Sequence, residues 1–127
     1  MFRKRPPSVT TTRAGTATSS AQRRFARAAV DLPTAYAVDG RAGSRSGHIT
    51  DLGGGGLRLE TDEDLPSGTA LELEFSIPGR PVGASGRVVM SYFDATSKRF
   101  GHGVAFTAIE PAAQEAIAGY VLALARG

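Results

Sequence analysis

The stretch Leu71-Glu72-Leu73-Glu74-Phe75-Ser76-Ile77 alternates apolar and polar residues without a break. Successive side chains of a β-strand point to opposite faces of the sheet. The alternation therefore predicts a strand with one buried face and one solvated face. The Pro78-Gly79 pair that follows predicts a turn.

Five more strands are predicted around this one, separated by turn signals such as Asp39-Gly40. The proline Pro33 in the first strand indicates a sheet edge or a bulge. The longest strand is expected to bend at Gly83 or Gly86 and to carry Val88, Met90 and Tyr92 on one face. In chain order the five strands cover residues 30–38, 46–52, 57–61, 81–93 and 98–106.

The predicted strands are joined by turns and loops, without helical crossovers. This organisation indicates a mainly all-β fold with an antiparallel sheet. Closing six short strands into a small barrel over about residues 30–108 would remove the exposed edges.

A helix is predicted over about residues 111–126. Pro111 suits the first helical turn, and Ala113, Ile117, Val121 and Leu124 recur with helical spacing. We expect this apolar stripe to plug one end of the barrel. A dimerisation helix or a partner helix is the alternative.

The chain has 127 residues and a net charge of +3, unevenly spread. Residues 1–30 carry seven basic residues and no acidic one, so the remainder has a net charge of −4. Residues 1–22 are predicted to be a disordered basic arm, and residues 23–127 one domain. Such an arm suggests an anionic partner, although a solvated basic tail or an organelle transit peptide has a similar composition.

The chain contains no cysteine, which excludes disulfides, thiolate metal sites and a cysteine nucleophile. This composition fits a reducing compartment, and we expect a cytoplasmic protein. No apolar run approaches the roughly 20 residues that a membrane span needs. His48 and His102 are expected to be surface or strand-end residues, and no enzymatic activity is predicted.

The four consecutive glycines of Asp51-Leu52-Gly53-Gly54-Gly55-Gly56-Leu57 require a conformational or steric reason, because glycine loses the most backbone freedom on folding. Positive φ angles or a close approach to the backbone would supply one. An arginine, Arg58, follows. We interpret the stretch as the floor of a ligand site.

Two arginines four residues apart, Arg23 and Arg27, precede the first strand. A guanidinium group can bind guanine O6 and N7, a phosphate, or a purine face. The carboxylate of Asp51 can accept hydrogen bonds from the guanine N1–H and N2 amino groups. Together these groups suit a guanine nucleotide with more than one phosphate.

The spacing of these residues resembles that of a known family. Arg23-x-x-x-Arg27, followed by Asp51-x-Gly53-x-x-Gly56, is similar to the paired RxxxR and [D/N]xSxxG motifs of PilZ domains, which are bacterial receptors for cyclic di-GMP. The closing Gly103-Val104-Ala105-Phe106 and the helix after it also resemble that family. The resemblance covers roughly residues 22–125.

The resemblance implies a six-stranded antiparallel PilZ-type β-barrel with a C-terminal helix, and no catalysis. It implies that cyclic di-GMP is the ligand, with no other cofactor or metal. The Arg-bearing arm would become ordered over the nucleotide and would signal to a separate, unidentified protein. The ligand-binding residues would be Arg23, Arg24, Arg27, Asp51, Gly53, Gly56 and Arg58.

One position departs from the family pattern, because Gly53 stands where the motif has serine. The lost hydroxyl contact would weaken binding by about one to two orders of magnitude. An alternative is therefore a nucleotide-independent PilZ-like adaptor for another protein. A small barrel that binds single-stranded nucleic acid is a further alternative, and both a monomer and a homodimer are compatible with the sequence.

Overall fold

The computed structural model describes residues 26–126. The predicted basic arm and the ligand-binding candidates Arg23 and Arg24 lie outside the described residues. Six strands and one helix follow in chain order, as the sequence predicts. They are β1 (Arg27–Val38), β2 (Arg45–Gly53), β3 (Gly56–Thr61), β4 (Ala70–Ile77), β5 (Arg80–Asp94), β6 (Arg99–Ile109) and α1 (Pro111–Arg126).

The strands form a closed antiparallel barrel in the order β1-β2-β3-β6-β5-β4. Pairing of β1 with β4, from Thr34 opposite Phe75 to Val38 opposite Leu71, closes the cylinder. Closure confirms the expectation of a small six-stranded barrel. Pro33 pairs with His48 on β2 and lies just before the β1–β4 pairing, which begins at Thr34, so the proline sits where β1 is paired on one side. A register shift of β1 on β2 also occurs nearby, between Ala29 and Leu32.

The barrel interior is apolar, and it includes the buried residues of the alternating strand β4. The helix α1 packs against β1 and β2 and adds its own apolar residues to the same core. The core residues are Tyr36, Ile49, Leu52, Leu57, Leu59, Leu65, Leu71, Leu73, Phe75, Ile77, Val82, Val88, Val104, Ala113, Ile117 and Val121.

The predicted apolar stripe of α1 is correct at three of its four positions. Ala113, Ile117 and Val121 are buried, whereas Leu124 is 43% exposed. The helix is exposed from Leu122 onward, so its last turn extends beyond the surface that the earlier turns cover. Burial therefore ends before the helical periodicity does.

The prediction that Val88, Met90 and Tyr92 share a face of β5 was wrong for Val88. Val88 pairs with Val104, but the next pair joins Met90 to Gly103, so Val89 is an extra residue in a β-bulge. The bulge reverses the alternation, and Val88 points into the core while Met90 is exposed. A second shift, between Ser85 and Gly86, agrees with the bend expected near Gly86.

The expectation that His102 is a surface or strand-end residue was also wrong. This side chain is fully buried, and its Nε2 accepts a hydrogen bond of 3.0 Å from the Leu65 N–H. Its Nδ1 lies 3.1 Å from the Leu59 carbonyl oxygen. A carbonyl can only accept, so the neutral ring carries its proton on Nδ1. His102 therefore fixes the loop that holds Leu65 over the core.

Candidate functional site

The four glycines form the hairpin between β2 and β3. Gly53 ends β2, Gly54 and Gly55 form the turn, and Gly56 begins β3. The turn is held from two sides, since Gln114 Nε2 donates to the Gly54 carbonyl at 2.8 Å and the Phe106 N–H donates to the Gly55 carbonyl at 3.0 Å. Contacts with α1 and β6 thus fix a turn that would otherwise be mobile.

Two of these glycines are explained by close packing within the barrel. A Cβ atom at Gly56 would clash with the carbonyl oxygen of Val104 on β6. A Cβ atom at Gly53 would lie 2.8 Å from the Ala26 carbonyl oxygen and 2.9 Å from Arg27 Cγ. The close approach that the sequence suggested is therefore made by neighbouring strands of the same chain.

The guanidinium group of Arg27 and the carboxylate of Asp51 form an ion pair across β1 and β2. Arg27 Nε donates to Asp51 Oδ2 at 2.9 Å. Their side chains are 45% and 21% exposed. An ion pair this open to water contributes about 0–1 kcal/mol, so a ligand can replace it at little cost.

The pairing of β2 with β3 places the other candidate ligand-binding residues beside the Arg27–Asp51 ion pair. Asp51 lies opposite Arg58 on β3, and Gly53 lies opposite Gly56. The structure therefore brings together five of the seven predicted ligand-binding residues on one outer surface of the barrel. These are Arg27, Asp51, Gly53, Gly56 and Arg58.

The same rows continue onto β6 and β5. Gly56 lies opposite Ala105, and Arg58 lies opposite Gly103, so the floor beyond the arginines consists of small residues. On β5, Met90 pairs with Gly103. The row of paired residues thus runs from Asp51 and Arg58, across Gly103 on β6, to the apolar side chain of Met90 on β5.

A cleft of about 530 Å³ lies on this surface. One wall is charged, the floor is glycine and alanine, and the other wall is apolar. The lining residues are Arg27, Asp51, Gly55, Gly56, Leu57, Arg58, Val89, Met90, Gly103, Val104 and Ala105. Sequence reasoning missed the β5 and β6 contributions, for which the small residues at alternate positions 101, 103 and 105 were the available signal.

A larger cleft of about 640 Å³ lies elsewhere, between β1, β2 and β4. It is lined in part by Asp62 and Glu74, with His48 and Arg99. These carboxylates make it less suited to an anionic ligand than the cleft bordered by Arg27 and Arg58. We therefore take the smaller cleft as the candidate site.

Within the acidic run at residues 62–64, Glu63 serves the structure of the barrel. Tyr36 donates to Glu63 Oε2 at 2.6 Å, and Arg41 contacts the same carboxylate at 3.1 Å. Burial, followed by this hydrogen bond and the charge of Glu63, raises the pKa of Tyr36 to about 12. The same hydrogen bond is the main reason that the pKa of Glu63 is lowered. Within residues 26–126 no cluster of three or more potential metal ligands occurs.

In the same part of the chain, no helix is both long and apolar enough to cross a membrane.

Comparisons with known proteins agree with this architecture. A family model described as the PilZ domain matches residues 21–123. A search of curated protein sequences gave no match. Among solved structures, the Bacillus subtilis inhibitor of motility MotI/DgrA is similar, with a TM-score of 0.73 and 16% identity over 81% of this chain and 51% of that one. The chain thus spans about half the length of that protein.

Two solved PilZ domains match along most of their length. The domain of CeSA from a cellulose-synthesizing bacterium gives a TM-score of 0.58 at 16% identity, covering 79% of this chain and 98% of that one. The domain of Escherichia coli YcgR, whose structure is described as being with c-di-GMP, gives 0.61 at 13% identity, covering 83% and 92%. At these identities the structural likeness establishes the fold alone.

Proposed function

The chain belongs to the PilZ domain family, and on that premise we propose that it is a receptor for cyclic di-GMP. PilZ domains are in general receptor or adaptor domains, and we propose a binding role without catalysis. The solved YcgR domain, described as being with c-di-GMP, supports the ligand class.

The observation that carries the proposal is the meeting of Arg27, Asp51 and Arg58 at the edge of a floor of glycine and alanine. Asp51 is hydrogen-bonded to Arg27 at 2.9 Å and is the register partner of Arg58. An arginine can form two parallel hydrogen bonds to a phosphate or to the O6 and N7 of guanine, and a carboxylate can accept from N1–H and N2. The groups needed for a guanine nucleotide are therefore adjacent.

The Arg27–Asp51 ion pair is compatible with this role. Both groups keep exposed surface, and the pair itself contributes little to stability. We propose that the nucleotide takes over both partners, with Arg27 turning to phosphate or guanine and Asp51 to the guanine edge. Each exchange replaces one charge-assisted hydrogen bond by another, so the ligand loses little energy in opening the pair.

We propose that the arm supplies the remaining cationic groups, Arg23 and Arg24, and becomes ordered over the bound nucleotide. Ordering costs conformational entropy, which the charge-assisted contacts have to exceed. The ordered arm would then be the signal that a separate, still unidentified protein recognises.

A second candidate function is favoured by Gly53. The family motif has serine at this position, and here Ala26 and Arg27 pack within 3 Å of the place where the serine Cβ would lie. A nucleotide-independent adaptor would need neither the hydroxyl group nor the space for it. Binding measurements distinguish the two candidates.

The test is isothermal titration calorimetry of cyclic di-GMP into the full chain and into Arg27→Ala and Asp51→Asn variants. Each variant is expected to bind about tenfold more weakly or worse, since a hydrogen bond to a charged group contributes about 1.5–3 kcal/mol. Arg45→Ala and Asp31→Asn serve as matched controls. Arg45 is an exposed arginine that pairs with Glu63, and Asp31 is an exposed carboxylate beside His48.

No heat from the wild type at protein concentrations of about 50 µM, a range suited to micromolar Kd values, would support the adaptor. Binding that is unaffected by both site substitutions would place the nucleotide elsewhere. Retention of a labelled single-stranded oligonucleotide at physiological salt would instead support the nucleic-acid alternative.

A further inference from the structure

The apolar wall of the candidate cleft is built by the bulge in β5. Pairing passes from Val88 opposite Val104 to Met90 opposite Gly103, and Val89 is left without a register partner on β6. As a result Val89 and Met90 are both on the outside of the barrel, 57% and 54% exposed, while Val88 is buried. Bulges often re-aim side chains next to functional sites.

Met90 lies over the cleft floor because β6 offers no side chain to displace it. A Cβ atom at Gly103 would be 2.9 Å from Met90 Cγ and 3.4 Å from its Sδ. Met90 is therefore folded across Gly103, toward β3, and borders the same cleft as Arg58. Two strand spacings separate Arg58 from Met90 in this row, which is about 9–10 Å between backbones.

Exposed apolar residues are common on protein surfaces and taken singly need no explanation. Here two adjacent ones line a cleft whose opposite wall carries Arg27, Asp51 and Arg58. Ligand pockets typically combine an apolar surface with a few well-placed polar groups. For a nucleotide, the arginines suit the phosphates and the apolar wall suits the flat face of a base.

We propose that Met90, flanked by Val89, is the contact surface for a guanine base of the nucleotide that Arg27, Asp51 and Arg58 hold. This inference rests on the proposed function and goes beyond its motif residues, none of which lies on β5. The thioether of methionine is polarisable and makes favourable contacts with aromatic rings. Met90 would thus add to affinity through the base, independently of charge.

Methionine content makes direct contact measurable, because the chain contains two methionines, Met1 and Met90. In the full chain labelled with ¹³C-methyl methionine, the spectrum of Met90→Leu identifies the Met90 signal by its loss. Addition of cyclic di-GMP is expected to shift that methyl proton upfield, because a methyl group over an aromatic ring experiences its ring current. A merely structural role for Met90 would not produce this shift.

Calorimetry supplies the energetic test. Met90→Ala is expected to raise the Kd for cyclic di-GMP about two- to tenfold, the range of a sulfur–aromatic contact, and Met90→Leu by less. Phe93→Ala is the matched control. Phe93 is equally exposed and lies on β5, but it faces the opposite side of the sheet against Phe100.

The outcomes separate the two proposals. Tight binding by the wild type with an unchanged Met90 methyl signal and an unchanged Kd in Met90→Ala would overturn the inference and leave the receptor function standing. Absence of binding by the wild type would overturn both. A loss of affinity in Phe93→Ala as large as that in Met90→Ala would also overturn it, because the effect would then not be specific to the cleft.

Discussion

Restoring serine at Gly53 is the most informative single change in this chain. The PilZ motif has serine there, so motif reasoning alone predicts that Gly53→Ser gains one hydrogen bond to the ligand and tightens binding. The geometry predicts otherwise. The new Cβ would lie 2.8 Å from the Ala26 carbonyl oxygen and 2.9 Å from Arg27 Cγ, distances at which one side has to move.

The expected cost follows from which atoms collide. One is a backbone oxygen and the other is the base of a side chain, so rotation of the guanidinium alone does not relieve the clash. Overpacking typically costs about 1–3 kcal/mol, and the lower end applies because β1 begins at Arg27 and can shift locally. For a domain of this size, about 1 kcal/mol lowers the melting temperature by about 4–8 °C.

The gained hydroxyl contact is worth about 0.5–1.5 kcal/mol, but the residue displaced to admit it is Arg27. We therefore expect Gly53→Ser to melt about 4–8 °C lower and to bind cyclic di-GMP no more than about threefold more tightly than the wild type. Thermal denaturation and calorimetry on the same samples measure both quantities.

Two further variants separate the effect of the added Cβ from that of the hydroxyl group and test a Cβ added where there is space. Gly53→Ala introduces the Cβ without the hydroxyl group and is expected to show the same loss of stability. Gly119→Ala places a Cβ in open space within α1 and is expected to raise stability by about 0.5–1 kcal/mol. An unchanged melting temperature together with tenfold tighter binding in Gly53→Ser would refute the steric reasoning.

Three other substitutions test the fold that supports the site. Gly56→Ala drives a Cβ into the Val104 carbonyl and should lower the free energy of unfolding by more than about 3 kcal/mol. The measurement is the yield of soluble protein and its melting temperature, and near wild-type melting would contradict the close β3–β6 packing. Tyr36→Phe removes the 2.6 Å hydrogen bond to Glu63 and should cost about 1 kcal/mol at neutral pH. Because the pKa of Tyr36 is raised from 10.0 to about 12, the contribution of Tyr36 to the free energy of unfolding should be lost in the wild type as the pH rises between those values. Tyr36→Phe should not show this loss. The pKa of Glu63 is lowered, so the contribution of its carboxylate to the free energy of unfolding should be complete at pH values above the ordinary glutamate pKa. That contribution should be lost as the pH falls through the pKa of Glu63 in the folded protein, which melting curves at acidic pH would measure. His102→Phe leaves the Leu65 N–H and the Leu59 carbonyl without their partner and should cost about 2–4 kcal/mol by chemical denaturation; a loss below about 0.5 kcal/mol would show that other groups satisfy them.

Local alternation was sufficient to predict most of the fold. In β4 every second residue is apolar, and the burial follows this pattern residue by residue. The helix was predictable for the same reason, through Ala113, Ile117 and Val121. Such patterns depend on near neighbours in sequence, which is why six strands and one helix could be assigned before their pairing was known.

The apolar wall of the cleft could not be predicted in this way. It depends on one extra residue, Val89, whose position is set by the pairing of β5 with β6 and not by the β5 sequence itself. Strict alternation therefore placed Val88 and Met90 on the same face. His102 was misjudged for a related reason, because its two backbone partners lie 37 and 43 residues away.

Gly53 contacts the first described residues of the chain, a packing role that the motif alone does not indicate. Arg27 is both the first residue of β1 and the ion-pair partner of Asp51, and the Ala26 carbonyl beside it lies over Gly53. A backbone movement at Arg27 that accompanied ligand binding would therefore also move the point where residues 26 and 27 contact Gly53. A side chain at position 53 would act on the same point. Substitutions at position 53 are thus expected to affect both ligand binding and the packing of residues 26 and 27, because glycine is what permits their close contact with the floor.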